Sequence, residues 1–152
     1  MSMSTTDLSQ IVPNLFISNG DTALEHGHLF DMVINCTPHV PFPPNVSESV
    51  TRLVRIPVDD DPADSSVLAS ILTTTPVLAT MHSCLSQQKR VLVHCQMGQQ
   101  RSPAVVACYL VVYHSMNPQE AVAYIRRQRP AAFFFGSINL AGAIDHVYVA
   151  FN

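Results

Sequence analysis

Charge is scarce in this chain. Asp, Glu, Lys and Arg make up 12% of its 152 residues, and 8 basic against 11 acidic side chains leave a formal charge of -3. No basic block exists; the one small cluster is Arg126, Arg127 and Arg129. A mildly acidic protein gains little from general attraction to nucleic acid or anionic lipid, so neither is expected as a partner. Long apolar runs are missing too. The longest, Ala104 to Tyr113, has about 10 residues, roughly half of what a bilayer span needs. The first ten residues, MSMSTTDLSQ, are polar, and no secretory leader is expected. Ser2 stands where myristoylation needs glycine, and no prenylation cysteine ends the sequence. The cysteines, Cys36, Cys84, Cys95 and Cys108, have neither close pairing nor metal-ligand spacing. No metal site is expected, and a reducing compartment is: the cytoplasm, with the nucleus also open.

What is present suits one folded domain. Apolar residues are 47% of the chain, enough for a real core, and neither a repeat nor a linker divides it. Residues 1–8 are expected as a flexible N-terminus and 9–152 as a single domain. Residues 11–17 read as an extended apolar segment broken by a turn at Pro13-Asn14. Asp21 to His28 suits a short helix capped by Asn19 or Asp21. Met32 to Asn35 and Leu53 to Val58 read as strands, with a proline-rich loop over Pro38 to Pro44. A helix is expected from Ser65 or Ser66 to about Leu85, bent or split at Pro76. Val91 to Val93 is apolar on both faces, as a central strand should be. Three more helices follow: Ser102 to about His114, one begun by Asn117-Pro118 and ended before Pro130, and Ser137 to Val149. The expected fold is α/β: a mostly parallel sheet of four or five strands with helices on both faces.

One stretch concentrates the chemistry: VLVHCQMGQQRS, Val91 to Ser102. Cys95 directly follows the expected central strand, where open α/β sheets bind ligands. Gly98 lets the loop adopt a backbone that a side chain would oppose. The N–H groups of Gln96, Met97, Gly98, Gln99, Gln100 and Arg101 can then converge on one anion, beside the positive end of the following helix. Arg101 adds a planar fork that matches two phosphoryl oxygens. The same field favours a Cys95 thiolate. Such a thiolate can attack phosphorus in line, with Ser102 hydrogen-bonded to Sγ to ease its departure in a second step. His94 reads as a loop-orienting residue rather than a base. The leaving oxygen needs an acid, and the carboxylates at Asp59, Asp60, Asp61 and Asp64 are the strong source. An acid and a thiolate together imply a bell-shaped rate profile on the acidic side of neutral.

His94-Cys95-x-x-Gly98-x-x-Arg101-Ser102 resembles the signature of the cysteine-dependent protein tyrosine phosphatases, and the chain resembles their small (atypical) dual-specificity members. IVPNLFISNG is similar to that family's opening segment, Asp31 to Asn35 to its "hVlN" strand, and Asn117-Pro118 to Pro130 to its helix ending in an "RP" turn. Ile56-Pro57-Val58-Asp59-Asp60 matches "IPV-x-D". The resemblance implies Cys95 as nucleophile, Arg101 as phosphate ligand, Ser102 as assisting hydroxyl and Asp60 as general acid, with Asp59 and Asp61 as lesser candidates. Asn35 and His94 would be supporting residues. It implies no metal, no organic cofactor, and a phosphorylated protein as partner. The segment AAFFFGSINL departs from the family's usual "PNxGFxxQL", with Asn139-Leu140 where Gln-Leu is common.

The function expected is hydrolysis of phosphotyrosine, and of phosphoserine and phosphothreonine, through a cysteinyl-phosphate. RNA 5′-triphosphatase, lipid or carbohydrate phosphatase, and a non-enzymatic phospho-residue binding module stay open as alternatives. The absence of lysine from the loop weighs against highly anionic lipids. Arg126, Arg127 and Arg129 read as a solvated helix face or as an attractor of phosphorylated partners. Phe133, Phe134 and Phe135 read as core and loop packing or as a cleft border.

Overall fold

The computed structural model describes residues 6–47 and 50–152. Its strands are β1 (Leu8–Val12), β2 (Leu15–Ser18), β3 (Met32–Asn35), β4 (Arg52–Arg55) and β5 (Val91–His94). They form one sheet in the order β1-β2-β5-β3-β4. Only the β1–β2 hairpin is antiparallel; β2–β5, β5–β3 and β3–β4 are parallel. The hairpin turns at Pro13-Asn14, where Asn14 takes a left-handed φ of 71° and its amide bonds the Gln10 side chain at 3.0 Å. β5 is the middle strand, and all four of its residues are buried. The observed sheet is the expected mostly parallel α/β one, with five strands where four or five are expected.

Strand alternation divides the interior unequally. Leu15, Ile17, Met32, Ile34, Val91 and Val93 face the large core, together with the buried faces of α2 (Ser65–Thr74), α3 (Val77–Ser86), α4 (Arg101–Tyr113), α5 (Pro118–Gln128) and α6 (Ala141–Ala150). The alternate residues Val33 and Leu92 face a smaller cluster with Phe30 and Ala23, the latter from α1 (Gly20–His26). Helices do lie on both faces, but one face holds five and the other a single short one. Phe16, Phe42 and Leu53 finish the thin side, with the Arg90 guanidinium over Phe30 at 4.7 Å and Arg55 over Phe42 at 4.7 Å.

Element ends follow local chemistry. Asn19 caps α1 by accepting the Thr22 N–H at 2.9 Å. β4 stops at Arg55, short of the expected Val58. Ile56 N–H still reaches Asn35 O at 2.8 Å, but Pro57 has no N–H and Val58 N–H turns back to Ile56 O. The helix expected through Pro76 is two helices bent by 57°. Thr75, the residue before that proline, is extended (φ -119°, ψ 160°). Asn117 and Glu120 close a reciprocal capping box on α5. α4 is buried from Ser102 to Val111 and forms the axis of the large core.

Two boundaries differ from expectation. α6 begins at Ala141, not Ser137, because Phe133, Phe135 and Gly136 all have positive φ and residues 137–139 are pinned to Gln100. At the other end, the N-terminal segment is engaged earlier than residue 9: Asp7 is ion-paired and Leu8 opens β1. Residues 1–5 of that segment lie outside the described residues.

Candidate active site

β5 delivers Cys95 to the carboxyl end of the central strand, and the chain then wraps tightly around its sulfur. Cys95 is buried; its Sγ accepts the Gly98 N–H at 3.2 Å and lies 3.3 Å from Ser102 Oγ, at the first turn of α4. The wrap depends on Gly98, with φ at +68°. A Cβ there would sit 2.5 Å from Arg129 Nη2 and 2.7 Å from Ser18 O, so only glycine fits. The outer side of the loop is tied to its surroundings by Gly20 N–H to Gln96 O (2.9 Å) and Phe133 N–H to Gln99 O (2.7 Å).

A cavity of about 60 Å³ opens above the sulfur, lined by Asp60, Cys95, Gln96, Met97, Gln99, Gln100 and Arg101. Arg101 is aimed by its own hydrogen bond, Nη1 to Val58 O at 3.0 Å. That carbonyl lies two residues before Asp60, so the arginine and the acidic loop are joined. The three neighbouring aspartates separate by position. Asp59 offers its N–H to the Asp64 carboxylate (2.7 Å), Asp61 accepts the Ala63 N–H as a turn cap, and only Asp60 lines the cavity. Asn139 Nδ2 donates to Asp60 Oδ1 at 2.8 Å.

Other sequence-predicted residues take different places. The Gln100 side chain bonds the 137–139 segment, donating to Ser137 O and accepting the Asn139 N–H. The Asn35 side chain makes its hydrogen bonds in the turn after its own strand. It accepts the Thr37 N–H and Oγ1–H and donates to Val40 O, shaping the turn after β3. His94 is fully buried, with Nδ1 3.4 Å from Cys95 O and no hydrogen-bond partner for Nε2 among the described residues. Burial, and secondarily the Arg55 cation, hold its pKa down at about 4 against a backbone contact to Cys95 that raises it, so the ring is neutral near pH 7. Its place fits an orienting role better than a base. Cys36 follows β3 and lies beside Cys95. Burial first, and negative charge on Cys95 second, push its thiol well up, so it stays protonated. Among the described residues, no group of three or more His, Cys, Asp or Glu side chains gathers as a metal ion would need.

Two residues at this site carry no signal readable from composition or helix periodicity. Asn139 stood out only as a departure from a familiar pattern, yet it holds Asp60. Arg129 grouped with Arg126 and Arg127 as a helix face or partner attractor. Those two are exposed, but Arg129 is only 2% exposed and donates to Gly98 O at 2.8 Å. Pro130 explains the difference. The residue before a proline is driven out of the helical region, and Arg129 (φ -137°, ψ 90°) swings off the end of α5 toward the loop. The three phenylalanines also diverge: Phe133 is core, while Phe135 is 92% exposed.

Comparison with known proteins places this geometry. The family model for the dual specificity phosphatase catalytic domain matches residues 16–137. Dual specificity protein phosphatase 18 from Rattus norvegicus is 34% identical over 131 residues, which is 84% of this chain and 61% of that protein. Tyrosine-protein phosphatase yvh1 from Schizosaccharomyces pombe is 32% identical over 127 residues, 83% of this chain and 37% of that protein. The chain thus spans less than two thirds of the length of either relative. A crystal structure of human DUSP28 has a TM-score of 0.76 and 25% identity, covering 94% of this chain and 93% of that one. Sequence, fold and loop geometry converge: the chain belongs to the dual specificity phosphatases, among the small atypical members of the cysteine-dependent protein tyrosine phosphatase superfamily.

Proposed function

We propose that this protein hydrolyses phosphate monoesters on tyrosine, and on serine and threonine, of phosphorylated proteins through a cysteinyl-phosphate intermediate. The carrying observation is the sulfur of Cys95 held by the Gly98 N–H and Ser102 Oγ at the floor of a cavity that Asp60 and Arg101 also line. In the first step the Cys95 thiolate forms an S–P bond as the P–O bond to the leaving group breaks. The leaving oxygen takes the proton of the Asp60 carboxyl. Loop amides and Arg101 hold the three equatorial oxygens while charge redistributes. In the second step the Asp60 carboxylate takes a proton from water, whose oxygen bonds to phosphorus. The S–P pair returns to Sγ, which the Ser102 hydroxyl stabilises, and inorganic phosphate leaves. The cavity is small enough to take the phosphoryl group and leave the rest of the residue outside, which supports acceptance of short and long phosphorylated side chains. The loop holds no lysine, which favours protein monoesters over highly anionic lipid headgroups. A reaction that needs a reduced thiolate fits the cytoplasm or nucleus.

The test is turnover on phosphotyrosine and phosphothreonine peptides, an inositol phosphate and an RNA 5′-triphosphate, with Cys95→Ser and Asp60→Ala alongside. Turnover of both peptides is expected, abolished by Cys95→Ser, with substrate binding retained. Hydrolysis that survives Cys95→Ser would sink the covalent route.

A further inference from the structure

We propose that Arg129 and Asp7 are positioning residues for the phosphate loop: a buried guanidinium, held by a carboxylate from the segment before β1, sets the direction of the loop amides that face Cys95. This inference rests on the phosphatase reading above for its kinetic consequence, but not for its chemical one.

Every N–H of Arg129 has an acceptor. Nε donates to Gly98 O at 2.8 Å, and Nη2 to Met97 O at 3.4 Å and Asp7 Oδ2 at 2.7 Å. Nη1 donates to Asp7 Oδ1 at 2.9 Å and Ser9 Oγ at 3.0 Å. Asp7 is in turn fixed by its own N–H on Thr22 Oγ1 of α1, at 3.1 Å. In a trans peptide the carbonyl and the N–H point in opposite directions. Met97 O and Gly98 O belong to the two consecutive peptides whose N–H groups are those of Gly98 and Gln99. Both carbonyls are drawn outward to Arg129, so both N–H groups are turned inward. The Gly98 N–H accordingly meets Cys95 Sγ at 3.2 Å.

The carboxylate matters as much as the guanidinium. A buried cation without a partner is strongly unfavourable, so an unpaired Arg129 would move toward solvent and release both carbonyls. The fork geometry matters too, because a lysine at 129 supplies a point charge that cannot span two carbonyls and a carboxylate at once. Asp7 is partly exposed, so its replacement should leave a folded protein.

The pair has a second reading, a tether of the N-terminal segment to α5 that only stabilises the fold. Asp7→Asn separates the two by sign. Through space alone, deleting a negative charge near Cys95 favours the thiolate and speeds its alkylation. Loss of loop positioning does the opposite. The experiment uses the 152-residue protein, Asp7→Asn, Arg129→Lys and the conservative Asp7→Glu. It reads Tm, kcat/KM on para-nitrophenyl phosphate, and the rate of Cys95 alkylation by iodoacetamide at about pH 6. The expected result is a fall of about tenfold in kcat/KM and about threefold in alkylation rate for Asp7→Asn and Arg129→Lys, with partial recovery in Asp7→Glu. Unchanged or faster alkylation with only Tm lowered would overturn it. If the wild-type protein turned over no phosphate ester, the phosphatase reading would fail, and the alkylation rates alone would decide the positioning role.

Discussion

His94 should make this protein lose stability as the medium becomes acidic, over a window set by its burial. The ring is fully enclosed, Nε2 has no hydrogen-bond partner among the described residues, and the Arg55 cation is among the causes of its lowered pKa, so a proton is unwelcome in the folded state. The unfolded chain titrates this histidine near 6.5, the folded protein at about 4. The sign follows from proton counting. Between those values the unfolded state holds a proton that the folded state lacks, so stability rises with pH through the window and falls as pH drops below 6.5. Above it neither state is protonated and His94 contributes no slope. Each pH unit inside the window is worth about 1.4 kcal/mol, about 3 kcal/mol across it. That is a large share of the roughly 5–15 kcal/mol that holds a domain folded. Urea denaturation of the wild-type protein and of His94→Asn, from about pH 7.5 to about pH 4.5, isolates the effect. The substitution will carry its own penalty, but a constant one. The difference between the two curves should shrink steadily below pH 6.5, because only the wild type loses the His94 contribution. Curves that stay parallel throughout would refute a buried neutral His94.

Two further outcomes follow from the site. Gly98→Ala places a methyl group against Arg129 Nη2 and Ser18 O in a left-handed backbone. It should cost about 1–3 kcal/mol by chemical denaturation and remove most phosphatase activity, through displacement of the loop. Wild-type turnover in that variant would mean that the loop need not take the conformation described. Asn139→Ala deletes the hydrogen bond to Asp60. It should lower kcat/KM about threefold to tenfold on a phosphopeptide, yet have little effect on para-nitrophenyl phosphate, whose leaving oxygen needs no proton. An equal loss on both substrates would place the role of Asn139 elsewhere.

The central strand, its loop and α4 were legible because three independent cues coincide there: apolar residues on both strand faces, a glycine at the loop's turning point, and an uninterrupted apolar helix. Selection among Asp59, Asp60 and Asp61 was not legible in the same way. Adjacent side chains in an irregular loop follow no period, and it is the cavity lining that singles out Asp60 from Asp59 and Asp61. Arg129 was misplaced because helical spacing groups it with Arg126 and Arg127, whereas the proline after it takes it off the helix. The start of α6 was placed too early for a related reason. Positive φ at Phe133 and Phe135 is opposed by the intrinsic preference of phenylalanine and is imposed by long-range bonds to Gln99 and Gln100.

The sheet order has one more consequence. Cys95 is attached to the strand with ladder neighbours on both sides and to the helix at the axis of the large core, the parts of a fold that open last. Asp60 is attached to an exposed loop held by a handful of hydrogen bonds, the kind of segment that opens first. Local unfolding would therefore release Asp60 while leaving the loop around Cys95 assembled. On the proposed reaction, capture of a phosphate group and its hydrolysis would belong to parts of the molecule with different lifetimes, and hydrogen exchange would show the Cys95 loop protected long after the Asp60 loop has let go.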